Sequence, residues 1–137
     1  MTGRERGQAS VLLVGALLLG LAFVGLAVDG ARLFTARRDL QNIADSAALA
    51  GASAIDETAY RSSDGLVVRL DPARARGSAE QVVWAARLPA GTSVDVRVGP
   101  ERVEVRISRP VSTTFLRIVG LREQRIGATA TASPRTE

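Results

Sequence analysis

The sequence predicts an α+β protein: a long N-terminal transmembrane helix continuing into an amphipathic helix, then a small head with an antiparallel sheet and one or two short helices. Three observations carry this expectation. Ala9 to Val28 contains no charged residue, apolar residues recur at spacings of three and four from Leu33 to Ala54, and valines alternate with charges between Val94 and Ile107. Composition narrows the function classes at the same time. The 137 residues include no His and no Cys, which removes imidazole and thiolate ligands, disulfides, and His- or Cys-based nucleophilic sites. No motif sets two carboxylates around a cleft, so no catalytic, cofactor-binding or metal-binding residue is assigned and an enzyme is not expected.

The formal charge is +4, and every basic residue is Arg. These arginines are scattered from Arg4 to Arg135, many beside acids, as in Arg38-Asp39 and Glu104-Arg106. Besides Trp84, the only aromatics are Phe23, Phe34, Tyr60 and Phe115. Dispersed charge with few stacking platforms argues against a nucleic-acid partner.

Residues 1–8 read as an N-terminal tail carrying Arg4, Glu5 and Arg6. The next stretch, 9–28, is about 20 residues, and at about 1.5 Å each it reaches about 30 Å, the thickness of a bilayer core. Asp29 and Arg32 follow it, so charged groups flank both ends. A single-pass anchor in the lipid bilayer follows from this pattern. A secretory signal cleaved near Val28-Asp29-Gly30 and a buried soluble helix are the alternatives. The apolar run is long for the first, and the rest of the chain is too small to wrap the second. Orientation stays open on charge alone, with Arg4 and Arg6 before the segment and Arg32, Arg37 and Arg38 after it.

Residues 29–55 continue as an amphipathic helix, with Leu33, Ala36, Leu40, Ile43, Ala47, Ala50 and Ala54 on one stripe. Run together with the apolar segment, the helix would extend about 70 Å. Its stripe turns to alanine beyond Ala44, which permits close approach either by the chain's own head or by a partner helix. Asp29 either marks the end of the apolar segment and pairs with Arg32, or makes a specific contact. Asp45, set among alanines, either solvates a helix face or contacts the head or a partner.

The head, 56–137, opens with a loop from Tyr60 to Gly65 and a short strand from Leu66 to Leu70. Asp71-Pro72 starts a helical stretch that Gly77 is expected to interrupt, with Ser78 and Gln81 as a capping box for the part ending near Leu88. Trp84 reads as a packing or interfacial anchor. Two strands joined at Gly99 to Arg102 pair Val98 with Val103, Val96 with Val105 and Val94 with Ile107 on one face. Arg97 then opposes Glu104, and Asp95 opposes Arg106, on the other. Thr113 or Thr114 caps a short helix from Phe115 to Val119 that Gly120 ends. A last strand, Arg125 to Ala132, turns Ile126, Ala128, Ala130 and Ala132 inward, and Ser133 to Glu137 should fray.

Several of these residues carry a resemblance. Arg6-Gly7-Gln8, then Ala27-Val28-Asp29-Gly30-Ala31-Arg32, then Ala36 to Ala52 with its Ala44-Asp45-Ser46-Ala47-Ala48-Leu49-Ala50 box, resemble the N-terminal region of TadE/TadG-like Flp pilus-assembly proteins over residues 6–54. The resemblance implies a single-pass, pilin-like structural protein of the cell membrane, with residues 1–8 cytoplasmic and its head outside the cytoplasm. It implies other Tad pilus-assembly proteins, or copies of the chain itself, as partners. Asp29, Arg32, Leu40, Gln41, Asp45, Ala48 and Leu49 are the candidate helix-packing or partner contacts. Two features depart from the family. A cut after Gly7 would put the customary fifth-position Glu at Leu12, and the von Willebrand-type metal motif of larger members, Asp-x-Ser-x-Ser, is missing. A membrane-tethered envelope binding module, or a protein freed by signal peptidase, is the alternative function.

Overall fold

A computed structural model describes residues 3–134 of the chain. Met1 and Thr2 of the expected tail, and the end of the expected frayed terminus beyond Pro134, lie outside the described residues. Helix α1 (Gly3–Ala52) is followed by α2 (Glu57–Ser62), α3 (Pro72–Ala85), β1 (Ser93–Val98), β2 (Val103–Ser112), a 3-10 turn (Leu116–Val119) and β3 (Glu123–Ala132). The strands form one antiparallel sheet in the order β1-β2-β3. The chain is therefore α+β, with a long apolar N-terminal helix. Gly3 to Gln8, expected as a tail, already belong to α1.

The chain divides into two compact units. One comprises the residues up to Phe34 together with Val111–Gln124; the other comprises Thr35–Pro110 together with the residues from Arg125 on.

In the first unit, side chains such as Leu12, Leu17, Leu18 and Phe23 stand exposed around α1. An apolar helix exposed on all sides is suited to a non-aqueous surrounding. Val111–Gln124 packs on this helix at Gly25 and Asp29.

The second unit holds a conventional core. Leu40, Ala44, Ala47 and Ala48 of α1, Ala75 and Ala79 of α3, and Leu70 pack against Val96, Val103, Val105 and Ile107. Ala128 and Ala130 of β3 complete it. The buried face of α1 is broader than a strict three-four seam and includes Ala44 and Ala52, as a helix lying on a sheet requires. Small residues set how closely the elements approach. A Cβ on Gly51 would come 3.0 Å from the Ala75 carbonyl oxygen and 3.0 Å from Val103 Cγ1, so α1 approaches both α3 and β2 at this point.

The hairpin pairs in the expected register, with Val98 opposite Val103, Val96 opposite Val105 and Val94 opposite Ile107. On the exposed face Arg97 stands opposite Glu104 and Asp95 opposite Arg106, again as expected. Arg97 Nε lies 2.9 Å from Asp95 Oδ2 and Arg106 Nη2 lies 3.2 Å from Glu104 Oε1, so the charges pair along each strand instead of across. Exposed pairs of this kind contribute about 0.2–1 kcal/mol at most, so the buried valines and Ile107 set the register.

Four local expectations are corrected. Residues 60–65 are not all loop, because Asp56 accepts hydrogen bonds from the Thr58 and Ala59 amides and starts α2. Leu66 to Leu70 is not a strand; it contributes an isolated bridge between Leu70 and Ile55. Gly77 does not break α3. Asp71 caps the helix by accepting from the Ala73 and Arg74 amides, Pro72 occupies its first turn, and Ser78 is interior rather than a cap. Trp84 is 81 % exposed and so is not a packing residue of this core.

Candidate functional site

Asp29 is the one fully buried charged side chain among the described residues. It follows the apolar stretch of α1 directly, where a carboxylate would be expected to turn toward water. Instead it caps the 3-10 turn. Asp29 Oδ1 accepts from the Thr114 amide at 2.9 Å, and Oδ2 accepts from the Phe115 and Leu116 amides at 2.7 and 2.8 Å. These are the otherwise unpaired N–H groups at the start of a helical turn, so one carboxylate satisfies three orphan donors at once. Burial works against the charge, but the amides of Leu116, Thr114 and Phe115, with the Arg32 guanidinium, outweigh it and hold the carboxyl below its ordinary value.

Arg32 does not close on Asp29. Its Nη1 donates to Thr114 Oγ1 at 2.8 Å, adding a second tie between α1 and the same loop. Thr113, expected as a possible cap, has another role. Its hydroxyl donates to the Leu121 and Arg122 carbonyls and closes the base of the loop. Gly120 ends the turn with φ of 91°, a left-handed conformation that suits glycine. At the opposite side of the loop the Phe115 ring lies on Gly25, where any Cβ would overlap it. Gly25 and Asp29 are four residues apart, so they present a flat seat and a cap on one face of α1.

The second unit contains a smaller polar contact. Gln41 Nε2 donates to Asp45 Oδ1 at 2.9 Å and to the Thr129 carbonyl at 3.2 Å, linking α1 to the backbone of β3. Asp45 thus orients Gln41. Leu40 and Ala48 are buried in the core formed by the chain itself. Leu49, on the other side of the helix, is 61 % exposed. The seven residues singled out from the sequence therefore separate into three groups: Asp29 and Arg32 on the loop, Leu40, Gln41, Asp45 and Ala48 within the second unit, and Leu49 in the open.

The sequence singles out Asp29 and Thr114 but not their contact. The one available signal was the turn at Phe115, which has no acidic residue in its first turn to satisfy its own amides. Among the described residues, no group of three His, Cys, Asp or Glu side chains is placed to hold a metal ion. The arrangement fits structural holding, with a buried carboxylate fixing a loop, and offers no nucleophile and base in mutual reach.

No curated protein and no solved structure matches the chain. A family model does, and it covers Gly7 to Ala54, taking in the apolar stretch, Asp29, Gln41 and the alanine-rich box. Residues 7–54, the N-terminal region of this chain, match the family model of TadE/G-like Flp pilus-assembly proteins.

Proposed function

We propose that the protein is a single-pass membrane component of a Flp/Tad-type pilus-assembly system, acting structurally in the manner of a minor pilin. The family match over residues 7–54 carries this reading. The stretch from Ala9 to Val28 is the bilayer anchor, residues 1–8 are cytoplasmic, and residues 56–137 are outside the cytoplasm. Supporting the anchor is a helix of high hydropathy whose apolar side chains are almost all uncovered by the rest of the chain. Its partners are other Tad proteins or further copies of the chain, and Leu49 is the candidate contact that the protein's own core leaves free.

The test is genetic and biochemical together. Deleting the gene should reduce surface filaments, and a tagged full-length protein should be recovered from the membrane fraction with other Tad components. Normal piliation and a membrane protein recovered alone would favour an envelope module unconnected with pili. A form in the medium lacking the residues before Gly30 would instead indicate release by signal peptidase.

A further inference from the structure

We propose that the loop Phe115–Leu121 is a second membrane contact, a foot that inserts its apolar side chains among the lipids of the leaflet bordering Asp29. The inference rests on the reading of Ala9–Val28 as a bilayer span and adds to it a site outside that span. Ile118 is 83 % exposed and Val119 72 % exposed, with Leu121 also uncovered beside them. Such residues are out of place in a water-exposed turn. Their position along α1 supplies the reason. Phe115 rests on Gly25, and a groove of about 350 Å³ is lined by Ala22, Leu26, Phe115, Leu116, Ile118 and Val119, all apolar.

Depth follows from helix geometry. Gly25 precedes Asp29 by four residues, or about 6 Å along the axis. If Asp29 lies at the edge of the hydrocarbon, the loop sits about 5–10 Å inside, the depth reached by interfacial apolar elements. The same lipids that cover Ala22 and Leu26 therefore cover Ile118 and Val119, so the foot is continuous with the span's own lipid contact.

The backbone of the loop is prepared for a dry setting. The amides of Thr114, Phe115 and Leu116 donate to Asp29, that of Ile118 to the Phe115 carbonyl, that of Gly120 to Arg117, and that of Leu121 to Leu116. Internal satisfaction of N–H groups is what hydrocarbon demands and water does not. Arg117, within the loop between Leu116 and Ile118, and Arg122, just after it, have side chains long enough to reach anionic headgroups while their stems stay among the chains.

The absence of native Cys permits a direct test. Full-length protein carrying a nitroxide at Ile118→Cys is reconstituted in vesicles of phosphatidylethanolamine and phosphatidylglycerol. Relaxation by oxygen, which concentrates in lipid, is compared with relaxation by a neutral nickel chelate, which stays in water. Leu18→Cys reports the span and Glu101→Cys, in the β1–β2 turn, reports the aqueous side. The proposal expects the label at 118 to be oxygen-accessible and shielded from nickel, at a shallower depth than the label at 18. Nickel accessibility at 118 equal to that at 101, with 18 still in lipid, would overturn the foot and leave the span standing. Shielding of 118 from both reagents would overturn it in favour of a protein surface, such as a neighbouring copy. Nickel accessibility at 18 would overturn the span itself and the foot with it.

Discussion

Gly25→Ala should undock the Phe115 loop while leaving α1 helical. The added Cβ would stand 2.9 Å from Phe115 Cβ and would overlap the ring outright. Phe115 cannot simply swing aside, because its own amide and those of its two neighbours are held by Asp29. Overpacking of this kind costs about 1–3 kcal/mol. Alanine also favours the helix by about 1 kcal/mol over glycine, but that gain is the same whether the loop is docked or free and does not offset the clash. The docking equilibrium should therefore shift by about 5- to 150-fold. Hydrogen exchange of the Thr114, Phe115 and Leu116 amides in detergent micelles reads this shift as a matching loss of protection. Gly30→Ala is the control, since nothing lies within 4 Å of its Cβ position. Equal protection in the two variants would refute the packing of Phe115 on Gly25.

Asp29→Ala should expose the three loop amides to exchange even with Gly25 intact, whereas Arg32→Gln should loosen only the Thr114 side of the loop. Because the Asp29 carboxyl titrates below its unfolded value, its stabilisation is complete above about pH 4 and is lost as pH falls through the folded value. The loop's amide shifts should thus be flat from pH 7 to about 4 and move only below it, and movement near pH 6 would contradict the assignment. Ile107 is fully buried, so Ile107→Ala should cost about 2–5 kcal/mol in denaturant unfolding of the second unit. Leu49→Gln, at an exposed position, should change stability by no more than about 0.5 kcal/mol yet reduce co-purification with Tad components if Leu49 meets a partner.

What could be read from the sequence was what local pattern dictates. The hairpin register was legible because shifting Val94 to Val98 against Val103 to Ile107 by one residue would bury arginines and expose valines. The end of the 3-10 turn at Gly120 and the inward alanines of β3 were legible for the same local reasons. The seat of the loop was not. Asp29 and Thr114 are 85 residues apart, and no periodicity in either segment encodes a contact between them. Local competition explains the errors in the middle of the chain. Asp71 with Pro72 starts a helix strongly enough to carry it through Gly77, a cost of only about 1 kcal/mol, and Asp56 starts α2 where the polar run after it reads as loop. Of the candidate site, the individual residues stand out in the sequence and their grouping does not. Leu40 and Ala48 belong to the protein's own core, and Leu49 alone of the alanine-rich box keeps a large apolar side chain exposed.

Cysteine labelling is the direct test of the proposed orientation, with the chain anchored and the residues after the apolar helix outside the cytoplasm. Glu101→Cys, exposed in the turn after β1, is treated in intact cells with a membrane-impermeant maleimide. A head outside the cytoplasm gives labelling of a full-length, membrane-bound protein without lysis. Labelling only after lysis would place the sheet in the cytoplasm and rule out the proposed orientation.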